Sequence, residues 1–137
     1  MPAYVIRLRV PPGTPKEKPV EKKQPFEPGV ITKMEVFFPP GCRGTVYTRC
    51  LFGNTQLAPY NKGEAFNGSG EAITWPEFFI LPFRKTELIF QAWAPNARYE
   101  HEVVWRVFVL PMEIVFPYKQ FEALFSRLEK VAELFGV

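Results

Sequence analysis

Residues 29–52 read GVITKMEVFFPPGCRGTVYTRCLF, and the alternation in this stretch decides the fold. Ahead of the breaker cluster Pro39-Pro40-Gly41-Cys42-Arg43-Gly44, Val30, Thr32, Met34, Val36 and Phe38 share one face, and Lys33 and Glu35 lie on the other. Beyond it, Val46, Thr48, Cys50 and Phe52 face one way, while Thr45, Tyr47 and Arg49 face the other. Apolar positions at every second residue, with charge on the opposite face, predict half-buried β-strands. The cluster is too long and too rich in proline for a two-residue hairpin. The reading is a wide loop joining two antiparallel strands.

The same period extends outward in both directions. Tyr4, Ile6, Leu8 and Val10 alternate with Arg7 and Arg9, which predicts a first strand. Residues 11–28 are rich in proline and interleave Lys16, Lys18, Lys22 and Lys23 with Glu17, Glu21 and Glu27. Proline bars this segment from a central sheet position, so it reads as a solvated excursion with room for a short edge pairing near residues 19–23. Further strands are predicted near 55–58, 72–75 and 77–81, the last as an edge strand or strand end between Pro76 and Pro82. Leu88, Phe90 and Ala92 alternate inward in the next strand, and Ala94-Pro95-Asn96-Ala97 reads as a turn. His101, Val103, Trp105, Val107 and Val109 then mark one face of the longest strand. Its opposite face turns apolar at Phe108 and Leu110 and calls for cover.

From Pro117 to Phe135 the period changes. Phe121, Leu124, Phe125, Leu128, Val131, Ala132 and Phe135 recur at spacings of three and four, the signature of an amphipathic helix with proline in its first turn and Gly136 at its end. Seven or eight short strands followed by one helix predict a mainly β fold, an antiparallel, jelly-roll-like β-sandwich with a C-terminal amphipathic α-helix. The expected division is a sandwich domain over residues 1–112 and an appended helix over 113–137.

Composition bounds the function. The 137 residues suit one domain, and the 14 phenylalanines supply large side chains for its core. A net charge of +3 from 17 basic and 14 acidic residues is too mild for a nucleic-acid binder, so no nucleic-acid partner is expected. Neither a signal peptide nor an apolar run of membrane-spanning length is evident, so the expectation is a protein made in the cytoplasm with no membrane partner. In a regular strand Cys42 and Cys50 would stand more than about 20 Å apart, which predicts two free thiols.

Catalytic devices are missing from the sequence. His101 is the only histidine, aspartate is absent, and no HExxH, CxxC or GxSxG spacing occurs. Gly68-Ser69-Gly70 has no helix behind it and so is no phosphate cradle. No enzyme activity, cofactor or metal is expected. Two binding surfaces are candidates instead. Phe121, Leu124, Leu128, Val131 and Phe135 approximate a short a/d seam able to join subunits, the competing reading being that the helix docks on its own sandwich. Trp75, Trp93 and Tyr60 could stand on an outer face and stack on sugar rings, the competing reading being ordinary packing. The excursion 11–28 is costly to order unless it touches something, and an arm reaching a neighbouring subunit would explain it.

The stretch 29–52, followed by AWAPNARYEHEVVWRV at residues 92–107, resembles a group of small β-sandwich proteins encoded among the structural genes of tailed phages and archaeal viruses. The shared pattern is an alternating strand, FPPGC-x-G, a second alternating strand and a closing strand after a polar turn, and it covers about residues 3–110. The resemblance implies a non-enzymatic virion structural protein, capsid-decorating or tail-associated. It implies a homo-oligomer, expected as a trimer, with a capsid or tail protein as partner. A carbohydrate-binding module is the alternative.

Overall fold

The computed structural model describes residues 3–81, 86–115 and 118–134. Nine strands run in order: β1 (Ala3–Val10), β2 (Val20–Phe26), β3 (Gly29–Phe38), β4 (Tyr47–Phe52), β5 (Thr55–Ala58), β6 (Phe66–Asn67), β7 (Glu71–Leu81), β8 (Thr86–Trp93) and β9 (His101–Pro111). Two helices follow, α1 (Met112–Val115) and α2 (Tyr118–Leu134). The antiparallel pairings β1–β9, β2–β8, β3–β7 and β4–β5 make the chain one long hairpin. Successive pairs of that hairpin fall in alternate sheets. The pairings β3–β9 and β4–β8 seal it into a roll. One sheet has the order β1-β9-β3-β7 and the other β2-β8-β4-β5, with β6 also on β4. This is a jelly-roll β-sandwich.

The inward faces follow the period of two. Met34, Val36, Val46, Cys50, Phe90, Val103, Trp105 and Val107 are all fully buried and belong to one core. Trp105 is its centre. Its ring packs 5.2 Å from Phe90, 6.1 Å from Phe66 and 6.2 Å from Trp75. Its indole Nε1–H donates to Thr48 Oγ1 at 2.9 Å, and that hydroxyl donates to the Gln91 carbonyl at 2.7 Å. The buried polar groups are thus satisfied within the core.

Three local readings are corrected. β3 and β4 are not paired neighbours, because residues 39–46 carry the chain from one sheet to the other. The crossing is pinned by Cys42, whose side chain is buried in the core, and by Thr45 N donating to Cys42 O at 2.9 Å. Within β3 a bulge between Ile31 and Lys33 moves Ile31, instead of Thr32, to the inner face. A bulge shifts the side-chain phase by one residue, which alternation alone does not reveal. Residues 20–26 form a full strand rather than a loop with a brief pairing. They do so at the sheet edge, where Pro25 costs no central ladder bond and Phe26 reaches the core.

The apolar end of β9 finds its cover. α1 packs on β3 and β9 and buries Met112, while Val30 is buried and Leu110 half-buried on the outer phase of those strands. Gly29, where β3 begins, is required by close approach, since a Cβ there would meet Leu110 O at 2.5 Å and Val109 Cγ1 at 2.8 Å. α2 packs on α1. Among the described residues no helix is long and apolar enough to cross a membrane.

Candidate interaction groove

The edges of the two sheets formed by β5–β6 and β7 stand apart and leave a groove of about 560 Å³. One wall is the run Leu57-Ala58-Pro59-Tyr60 with Phe66, and the other comes from β7. Along β7 the period of two sends Ile73, Trp75, Glu77 and Phe79 towards the sandwich, and leaves Pro76, Phe78 and Ile80 exposed. Trp75 forms the floor, its ring 5.0 Å from Phe66 and edge-on to Trp105. Phe79 meets Phe52 edge-to-face at 5.6 Å. Tyr60 and Phe78 are 85% and 76% exposed, values at which a large aromatic ring is presented almost whole to solvent.

The Tyr60 loop is held from below. Gln56 is buried, and its Nε2 amide donates to the carbonyls of Pro59 (2.7 Å), Asn61 (3.1 Å) and Glu64 (2.8 Å). The two N–H groups of one side chain are thus shared among three loop carbonyls, which presets the wall. Behind the groove, burial pushes the Cys50 thiol well above its ordinary range, and the Glu77 carboxylate adds to the effect. Burial also raises Cys42, and both thiols are free.

The sugar-stacking candidates part company here. Tyr60 and Trp75 come together in the groove. Trp93 does not: it is only 5% exposed, stacked on Tyr47 at 6.2 Å with Arg49 and Lys16 over its ring at 5.2 and 5.7 Å. The expectation that Trp93 offers a free face is overturned, because two cations cover it. Of the helix seam, Leu128 is half-buried and Val131 exposed, as is Leu134 at 83%. Phe121 and Leu124 lie in α2 but outside its described side chains, and Phe135 lies outside the described residues. Sequence reasoning missed Phe78 and Gln56. The signal for Phe78 was present, a phenylalanine on the outward phase of a proline-bounded edge strand.

No known protein family matches the chain, and no curated protein does. Among solved structures it is weakly similar to a de novo designed double-stranded β-helix, at 15% identity and a TM-score of 0.34 over 76% of this chain and 95% of that one. It is likewise similar to FLHE, at 13% identity and a TM-score of 0.34 over 78% of this chain and 96% of that one. A third is the virus-like particle of giant freshwater prawn Macrobrachium rosenbergii extra small virus, at 12% identity and a TM-score of 0.29, covering 77% and 78%. These scores are too low to assign a common fold.

Proposed function

We propose that this protein is a non-enzymatic structural protein of a virion, capsid-decorating or tail-associated, that works through subunit and particle contacts. The observation that carries the reading is the groove at the β5–β7 edge, where Tyr60 stands exposed on one rim and Phe78 stands exposed on the outer face of the strand that forms the other. Burying each such ring in a contact is worth roughly 1.5–3 kcal/mol, a gain that a monomer forgoes. The second copy of the chain is the natural occupant, and the exposed side chains of α2 at Val131 and Leu134 supply a further contact. Jelly rolls serve capsids, lectins and cupins alike, so the fold admits this role without choosing it, and the virion setting comes from the pattern at residues 29–52 and 92–107. Purified protein should be an oligomer that co-sediments with particles, and Leu128→Glu should weaken the helix contact while the β-sheet spectrum persists. A monomer that never sediments with particles would end this reading.

One observation favours a second reading. Tyr60 and Trp75 share the groove, an arrangement able to stack on a sugar ring. In that case Tyr60→Ala abolishes retention on a polysaccharide, and the absence of retention by the parent protein removes the alternative.

A further inference from the structure

A separate cleft of about 810 Å³ opens between the loops 39–46 and 94–100, and its walls are polar. It is lined by Arg43, Thr45, Asn96, Arg98, Tyr99 and His101, together with Glu100. Glu100 already lies 3.6 Å from Arg9 Nε. Among the described residues neither the Arg43 nor the Arg98 guanidinium has an ion-pair or hydrogen-bond partner, and both side chains are exposed. Tyr99 presents its ring beside them at 72% exposure.

Both walls are braced. Gly44 N donates to Gly68 O at 3.2 Å, Gly70 N to Pro39 O at 3.2 Å, and Asn67 Nδ2 to Gly44 O at 3.1 Å. Across the cleft, Ala94 and Thr14 form an isolated bridge, and Ala97 N donates to Ala94 O at 3.4 Å. Within this pinned loop Arg43 is held at φ +50°, the left-handed region that favours glycine, between Gly41 and Gly44 at +93° and +70°. Glycine occupies the comparable positions on either side, so an arginine here carries backbone strain with no packing return. Strain of that kind gathers where a side chain serves a ligand.

We propose that this cleft binds an acidic saccharide, a sugar ring bearing a carboxylate or sulfate. Each unpaired guanidinium offers the planar fork that takes a carboxylate or sulfate by two hydrogen bonds. The open Tyr99 ring offers a flat apolar face for the sugar, and Asn96 and His101 can hydrogen-bond its hydroxyls. The volume suits a small molecule rather than a lone ion. A nucleic-acid strand would need a basic track along its phosphates, which a chain of net charge +3 with Glu100 at the rim does not supply. The site shares no residue with the β5–β7 groove, so it stands apart from the assembly reading.

Calorimetric titration decides it, using a sulfated uronic-acid disaccharide, a neutral disaccharide, inorganic sulfate and AMP as probes. The acidic disaccharide should saturate the protein and bind at least about tenfold more tightly than the neutral one, with Arg98→Gln losing at least about tenfold. Arg43→Gly should lose a similar factor yet melt no lower than the parent, because glycine relieves the strained backbone. Absence of binding by the acidic disaccharide overturns the proposal, as does unchanged affinity in both variants. Equal affinity for inorganic sulfate, or tighter binding of AMP, would show that the cleft reads something other than an acidic sugar.

Discussion

Along the side where β1 and β2 edge the two sheets, charged side chains line both edge strands, with Val5 exposed among them. Arg7 lies 3.1 Å from Glu102, Arg9 reaches Glu100 and Glu102 at 3.6 and 3.7 Å, and Lys22 Nζ donates to the Arg7 carbonyl at 2.9 Å. β2 adds Lys23 and Pro25, and Gln91 Nε2 donates to its Glu21 at 2.7 Å. Along the opposite side, β7 presents Phe78 and Ile80, the loop after β5 presents Tyr60, and the end of β4 presents Phe52. Charged side chains and proline are how edge strands are kept from joining others. One side of the sandwich is therefore guarded and the other is left apolar, and the contact surface proposed above falls on the apolar side.

The largest effect should come from removing the support of the apolar side. Trp105→Ala deletes the ring beneath Trp75 and Phe66 and removes the indole donor from the Thr48 hydroxyl, costing about 3–5 kcal/mol in denaturant unfolding. Gln56→Leu leaves three loop carbonyls without their donor and should cost about 1–3 kcal/mol. Hydrogen exchange should then quicken in residues 59–64 and not in β1 or β2. Equal loosening of both sides would break the contrast.

Behind the groove the sign of the pH response is set. The Cys50 thiol has a folded pKa raised above its ordinary 9.0, so the folded state keeps a proton that the unfolded chain releases. Stability is full below that value and falls as pH rises past it, by up to about 1.4 kcal/mol per unit. Cys50→Ala should remove this contribution to the slope of a chemical denaturation series above pH 9.0, at the cost of a lower baseline. The smallest effect belongs to the guarded side. Arg7→Thr with Arg9→Thr should cost only about 0–1 kcal/mol per exposed pair, yet light scattering should register new association through β1.

Much of this architecture was legible in the sequence, and the failures have physical causes. Alternation placed Val103, Trp105 and Val107 inward because burial on one face enforces a period of two. It could not say that β3 and β4 part into different sheets, since which strand a strand meets depends on the chain's return path. Nor could it show the bulge at Ile31 and Lys33, where Val30 and Ile31 are both apolar and either phase fits. Tyr60 was legible as an aromatic in a polar loop. Trp93 read as an outward-facing strand residue, but Arg49, Lys16 and Tyr47 meet its ring only in three dimensions.

The most direct test is the mass of Phe78→Glu in solution, measured by sedimentation beside the parent and beside Arg7→Glu. The parent should be a multiple of 15.8 kDa, Phe78→Glu should sediment as a folded 15.8 kDa monomer, and Arg7→Glu should keep the parent's mass. A parent that is monomeric, or an oligomer indifferent to Phe78→Glu, would contradict the proposed contact surface.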